Sequence, residues 1–279
     1  MWEQCLIKTE RGRFEYFKKG TGDPLCVTHL YSEFNTNGNI FALPFTKHNT
    51  VFLVNLRGCG KSDNTSNPHD YSMDTAVKDL EAIRKALGFE KWGFAGHSTG
   101  GMLALKYAIL AKERLTKIIA GGLCASAEYM RHPKSIYCKE NPNHARVLEI
   151  IRLLGLNDTP LEERRALNKE WALMSIYDKS LYNDIVSRAN SGKVVSARLD
   201  YFSYTELIDF DLRPLLPNVN VPAFIYCGRH DAQCPYVFSR EAAMLMPNAT
   251  MTTFEESNHN PFVEEEKEFE RFVEYIAAN

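Results

Sequence analysis

The segment Gly96-His97-Ser98-Thr99-Gly100 carries a serine between two glycines, each two residues away, and this is the pattern in the chain with the clearest chemical content. A G-x-S-x-G segment presents a nucleophilic hydroxyl when it forms a tight turn from a strand into a helix. The turn holds the serine in a strained conformation with Oγ projecting from the sheet's end, and the glycines leave room for neighbouring backbone. So short a pattern arises by chance roughly once in twenty chains of this kind, so its setting decides. Here the apolar run Trp92 to Ala95 precedes the motif and the apolar stretch Met102 to Ala111 follows it.

A serine hydroxyl is a poor nucleophile until a base takes its proton, and the base needs a carboxylate to orient it. Eight histidines compete. His259, in Glu255-Glu-Ser-Asn-His-Asn-Pro261, lies between the last predicted strand and the last predicted helix, a loop at the same carboxyl edge of the sheet as Ser98. Asp231, in Gly228-Arg-His-Asp231, ends another strand at that edge and is the acid expected to orient His259. His97 and His230 adjoin these residues in sequence and are expected to pack in support, and His29 ends a strand. His48, His69, His132 and His144 have no strand-end context, and Glu128 is the rival acid.

These side chains need a scaffold, and the hydrophobic period supplies it. Leu6 to Thr9 and Phe14 to Phe17, separated by Arg11-Gly12, read as a hairpin. Leu25 to His29, Val51 to Leu56, Trp92 to Ala95 and Ile118 to Gly121 read as buried strands. Between them, Asp74 to Gly88 has apolar residues at helical spacing, a candidate cap at Asp74 and a stop at Gly88. Alternating strands and helices imply a largely parallel sheet.

From about Leu123 to Leu212 the alternation gives way to amphipathic helical stretches at Ala145 to Leu154, Leu161 to Met174 and Lys179 to Ser191. It resumes with a strand ending at Gly228, a helix over Val237 to Met246, a strand at Met251 to Phe254 and a helix from Pro261 to Ala277. The expected organisation is one α/β core formed by residues 1–122 and 213–279, interrupted by a helical cap over 123–212.

The 33 Lys and Arg against 35 Asp and Glu leave a formal charge of -2, which provides no field to attract nucleic acid or anionic lipid. No apolar run approaches membrane-spanning length. Seven cysteines, with no C-x-x-C pair and several in strand-like runs, read as buried reduced thiols, and a cytoplasmic location is expected. No His/Cys/Asp/Glu group at ligand spacing and no G-x-G-x-x-G occurs, so neither metal nor cofactor is implied. The segment ending Gly60-Lys61-Ser62 would need glycine at position 55 to be a phosphate loop, finds Asn55, and reads as a tight turn.

Taken together, His29, Asn55-Leu-Arg-Gly-Cys-Gly-Lys-Ser62, Gly96-His-Ser-Thr-Gly-Gly101, Gly228-Arg-His-Asp231 and Ser257-Asn-His259 resemble the α/β-hydrolase fold superfamily over roughly residues 12 to 122 and 213 to 279. The resemblance implies a mostly parallel central sheet flanked by helices, with Ser98, Asp231 and His259 in that family's chain order of nucleophile, acid and base. It also implies an oxyanion hole from the backbone N–H groups of Thr99 and Tyr31. Arg57-Gly-Cys-Gly-Lys-Ser62 and Gly228-Arg-His-Asp-Ala-Gln-Cys-Pro235 are similar in wording to the proline iminopeptidase branch, although Thr99 stands where that branch usually has tryptophan.

Two further departures carry expectations. His29-Leu30-Tyr31 replaces the usual His-Gly, so the oxyanion loop must be built without that glycine. Asn55 replaces the usual Asp, exchanging an ionic partner of Arg57 for a neutral amide.

The function these residues imply is hydrolysis of a small ester, amide or related acyl substrate through an acyl-enzyme on Ser98. The cap's aromatic side chains, Tyr129, Tyr137, Trp171, Tyr177, Tyr182, Tyr201, Phe202 and Tyr204, are expected to pack its core and form the pocket. An iminopeptidase would need cap carboxylates facing the substrate amine, for which Asp200 or Glu206 are the candidates. A lyase or oxygenase on the same triad, or a ligand sensor with little turnover, are the alternatives.

Overall fold

The computed structural model describes residues 1–156 and 158–279. The strands are β1 (Glu3–Thr9), β2 (Gly12–Lys19), β3 (Asp23–Val27), β4 (Ser32–Glu33), β5 (Asn49–Val54), β6 (Trp92–His97), β7 (Leu115–Gly121), β8 (Lys193–Val194), β9 (Ala223–Gly228) and β10 (Ala249–Phe254). The helices are α1 (Met73–Ala86), α2 (Thr99–Ala111), α3 (His144–Gly155), α4 (Leu161–Leu173), α5 (Tyr182–Ser187), α6 (Ser196–Tyr201), α7 (Tyr236–Leu245), α8 (Pro261–Glu264) and α9 (Glu266–Ala278).

Eight strands form one sheet in the order β1-β2-β5-β3-β6-β7-β9-β10. β2 runs antiparallel to both its neighbours, and every pair from β5 to β10 is parallel. The central strands are apolar on both faces, as a sheet covered on both sides requires: every residue of β6 and of β9 is buried. One face packs under α1, α2 and α7 through residues such as Phe94, Leu103, Tyr107 and Ile225. The other packs under α9, whose Phe269, Phe272, Val273 and Ile276 recur at helical spacing, together with Phe41 and Phe45. Helix α2 has no polar stripe because it lies against the sheet: Met102, Leu103, Ala104 and Leu105 are all buried.

The parallel order brings the carboxyl ends of β3, β6, β9 and β10 to one edge. The loops leaving those ends contain His29, Ser98, Asp231 and His259 respectively. Between β7 and β9 the described chain is mainly helical, and its only strand, β8, pairs antiparallel with β4 just beyond the loop that follows β3.

Several boundaries differ from expectation. Helix α1 is capped by Ser72, whose Oγ accepts from Thr75 N, and not by Asp74, which already lies inside the first turn and pairs with Lys106. The expected helix over Lys179 to Ser191 begins as a 3-10 turn at Lys179–Leu181, continues as α5 and stops at Ser187, and the C-terminal helix is divided at Glu265. Gly88 does stop α1, with φ at +81°.

Candidate active site

Ser98 is the single non-glycine residue with positive φ among the described residues, at φ 58° and ψ −125°, between β6 and α2. Two close approaches make this turn possible. A Cβ on Gly96 would lie 2.0 Å from Gly100 O, and one on Gly100 would lie 2.6 Å from Thr28 O. The strained turn is fixed on both sides by backbone bonds, Ser98 N to Gly121 O at 2.9 Å and Met102 N to Ser98 O at 3.0 Å. Ser98 is half-buried and Thr99 begins α2, so the Thr99 amide points out of a helix N-terminus.

His259 and Asp231 meet as expected. His259 Nδ1 lies 2.9 Å and 3.1 Å from the two Asp231 oxygens, and both side chains are buried. A carboxylate only accepts here, so Nδ1 carries the proton and Nε2 offers its lone pair. Asp231 Oδ1 also accepts from Gln233 N at 2.9 Å and Cys234 N at 2.8 Å, which fixes its rotamer. Ser98 Oγ has no hydrogen-bond partner among the described residues, and a nucleophile–base bond of this kind commonly tightens only around substrate.

The loops carrying acid and base are bolted together. Ala232 N donates to Asn258 Oδ1 at 2.8 Å and His230 N to Ser257 O at 3.0 Å. Glu264 then brackets the histidine, accepting from Asn258 N and Asn260 N at 3.1 Å each and from Tyr177 N, in the helical segment, at 2.6 Å. Burial pushes the Glu264 carboxyl upward against these donors. Ser175 O accepts from His259 N, and Gln233 reaches both Ser175 Oγ at 3.0 Å and Tyr137 OH at 2.8 Å, so the helical segment touches both loops.

The remaining histidines sort by their contacts. His97 Nδ1 lies 2.9 Å from Tyr226 OH and its ring centroid 4.6 Å from that of His259; burial, reinforced by His259 and His29, holds it well below the usual histidine value. His29 Nδ1 lies 2.9 Å from Ser32 Oγ and receives Tyr31 N at 3.5 Å, and its Nε2 lies 3.1 Å from Thr99 Oγ1. Burial first, then the charges of His259 and Arg198, lower it to about 3, so it is a neutral link between Tyr31 and Thr99. His230 is exposed and stacks on Tyr177 at 4.5 Å. Glu128 pairs with Arg213 at 2.8 Å and takes no part in the site.

Of the two departures in wording, the one at Asn55 resolves differently from expectation. Arg57 keeps an ionic partner, Asp79 of α1, at 3.0 Å from both Nε and Nη2. Asn55 instead donates to Glu15 Oε2 at 2.7 Å and exchanges two bonds with Phe34, a role a carboxylate could not fill beside Glu15. In the His29-Leu30-Tyr31 loop neither Leu30 nor Tyr31 has positive φ, and Leu30 is packed in the core.

The two carboxylates considered for binding a substrate amine sit in different settings. Asp200 is exposed, and Glu206 accepts from Met73 N at 2.9 Å, capping α1. Of the eight aromatics, Tyr129 and Tyr137 meet edge to face and Phe202 packs near Tyr31, whereas Tyr204 points to solvent. Sequence reasoning passed over Glu264, Gln233 and Arg198.

A parallel sheet with a strained serine at one strand end, and an Asp–His pair on loops from two others, defines an α/β hydrolase. The alpha/beta hydrolase fold family profile matches residues 37–266, and the chain belongs to this family. Among solved structures it is similar to an alpha/beta fold family hydrolase from Bacillus anthracis str. Sterne, 58% identical over 99% of both chains with a TM-score of 0.97. It is 25% identical to a proline iminopeptidase from Heyndrickxia coagulans over 96% of each chain. A meta-cleavage product hydrolase from Pseudomonas fluorescens IP01, 21% identical over 99% of this chain and 98% of that one at a TM-score of 0.74, shares the fold.

Proposed function

We propose that the protein is a serine hydrolase acting on a small ester, amide or related acyl compound. Ser98 is the nucleophile, His259 the base, Asp231 the orienting acid, and the N–H groups of Thr99 and Tyr31 the oxyanion hole. The observation that carries this reading is the conformation of Ser98: a strained φ of 58° at the head of a helix, beside a buried His–Asp pair, is retained where the surrounding structure uses it.

In the first half-reaction His259 Nε2 takes the Ser98 proton as Oγ attacks the carbonyl carbon, and Asp231 stabilises the imidazolium. The tetrahedral oxyanion faces the Thr99 and Tyr31 amides. His259 then gives the proton to the departing alcohol or amine, leaving an acyl-serine. Water, deprotonated by the same histidine, releases the acid and restores Ser98.

In this reading residues 123–212 form a lid over the core of residues 1–122 and 213–279, and the lid's contacts with the Asp231 and His259 loops support that division. All seven cysteines are free and six are buried, which fits a reducing compartment such as the cytoplasm. Among the described residues no helix is long and apolar enough to cross a membrane.

Similarity to a proline iminopeptidase supports an amino-terminal prolyl substrate as a second reading. The exposed Asp200 and the occupied Glu206 favour the ester, which needs no amine-binding carboxylate. A screen of p-nitrophenyl esters against aminoacyl-naphthylamides, with Ser98→Ala as control, separates the two. Ester turnover and fluorophosphonate labelling that both vanish in Ser98→Ala are expected. Labelling elsewhere, or turnover that survives the substitution, would overturn the serine assignment.

A further inference from the structure

Arg198, in α6 of the lid, is 1% exposed, yet among the described residues no carboxylate pairs with it. Its guanidinium is spent on backbone carbonyls: Nε donates to Leu30 O, Nη1 to Arg57 O at 2.9 Å and Nη2 to Tyr71 O at 3.4 Å. It also sits 5.4 Å from the centre of the Tyr71 ring. Burial opposes its charge. A buried cation is costly unless fully bonded, so an arginine held here by carbonyls alone calls for an explanation.

The carbonyl it holds belongs to the peptide linking Leu30 to Tyr31. That peptide is trans, so its C=O and N–H point in opposite directions. Fixing Leu30 O therefore fixes the opposite heading of the Tyr31 N–H, whose contact with His29 Nδ1 is long, 3.5 Å, and leaves the donor open to a stronger acceptor beside Thr99, which the other nitrogen of that ring meets. The next peptide is held from the lid as well, since Val195 N donates to Tyr31 O at 2.8 Å. The strand pair β4–β8 continues the same seam, with Ser32 opposite Val194. Among the described residues, the hydrogen bonds that reach Leu30 O and Tyr31 O from outside the core come from Arg198 and Val195.

We propose that Arg198 is a positioning residue for the oxyanion hole. It replaces by an external clamp the backbone freedom that a glycine at position 30 would provide, and its charge polarises the Leu30–Tyr31 peptide so that the N–H is a stronger donor to an oxyanion. The hole is then complete only while the lid segment 193–198 is seated on the core. The inference rests on the serine-hydrolase reading above.

The test measures the second-order rate of Ser98 labelling by a fluorophosphonate, whose phosphoryl oxygen must enter the hole as phosphorus is attacked; no knowledge of the natural substrate is needed. Loss of one oxyanion donor typically costs about 100- to 1000-fold, so a misdirected donor in Arg198→Met is expected to slow labelling about 10- to 100-fold. Arg198→Lys, which keeps the charge but lacks the planar fork, is expected to fall between. Val195→Pro, which deletes the N–H that holds Tyr31 O, should also slow labelling, and it carries the test with Arg198→Lys if Arg198→Met does not fold.

Arg146→Met is the structural control. It breaks lid ion pairs with Glu149 and Glu170, remote from the loop in sequence, and should lower Tm without changing the labelling rate. Wild-type labelling rates in the folded Arg198 variants, or an equal loss in Arg146→Met, would overturn the clamp. Absence of Ser98 labelling in the wild type would instead overturn the hydrolase reading.

Discussion

Asp231 does two things at once, and a single-atom change separates them. Oδ1 accepts the amides of Gln233 and Cys234, which shapes its own loop, while the carboxylate as a whole holds Nδ1–H of His259. Asp231→Asn keeps an acceptor oxygen for the two amides, so the fold should survive with Tm changed by only a few degrees. In the proposed mechanism it removes the charge that stabilises the imidazolium and offers an N–H where the histidine needs an acceptor, favouring the wrong tautomer. Turnover should fall by about 1000- to 10,000-fold with little change in KM. Steady-state kinetics on the best ester from the screen, with circular dichroism as the folding control, measures both halves. A loss below tenfold would mean that His259 does not depend on Asp231.

At the scale of elements, strand ends assemble the site and the turns between strands keep it in register. Glu15 on β2 gathers Gln4 of β1, Asn55 just after β5 and the Lys61 amide of the following turn, so one carboxylate ties two strands to the Gly60-Lys61-Ser62 turn. Asn55→Asp would place a second carboxylate against Glu15 and the Phe34 carbonyl with no proton between them. One of the pair must then bind a proton that the unfolded chain releases near pH 4, so the folded variant binds more protons and loses stability as pH rises. A two-unit rise in one carboxyl corresponds to about 3 kcal/mol, most of it expressed by pH 8 and recovered near pH 4. Urea unfolding of both proteins at pH 5, 6.5 and 8 should show a deficit that widens with pH; a constant deficit would sink the account.

The same scale explains what was legible in the chain. Ser98, Asp231 and His259 could be found because each ends or follows an apolar run, and hydrophobic period locates strand ends. The parallel sheet was legible for the same reason. Arg198 was not, because its partners are the carbonyls of Leu30, Arg57 and Tyr71, and a carbonyl has no residue type for a motif to record. Glu264 was hidden likewise, since it binds amides and lies in a run of three glutamates that reads as a solvated face. Asn55 shows in the sequence as a departure from the usual Asp beside Arg57, but its partner Glu15 does not, because only the sheet order places Glu15 beside it.

For the molecule as a whole, the site imposes a dependence on pH that catalysis alone would not reveal. His97 lies where both core and site meet: its ring is 9% exposed, 5.0 Å from Phe262, 5.9 Å from Phe41 and 5.9 Å from Tyr226. Burial and the neighbouring His259 keep it neutral far below the usual histidine value of about 6.5. Above that value both folded and unfolded chains hold it neutral, and its contribution to stability is intact. Below it the unfolded chain takes up a proton and the folded chain does not, so stability is lost as pH falls from 6.5 toward the depressed value. For one such group the loss between pH 7.5 and 5.5 comes to about 1.4 kcal/mol. His97→Phe keeps an aromatic ring in the cluster, gives up the bond to Tyr226 OH, and removes the titration. Its stability at pH 7.5 should be lower than that of the wild type, but the decline on going to pH 5.5 should be shallower by that 1.4 kcal/mol, measured by denaturant unfolding at the two pH values. Parallel declines would show that the imidazole titrates in the folded protein as it does in the unfolded chain, and the neutral buried state of His97 would have to be abandoned.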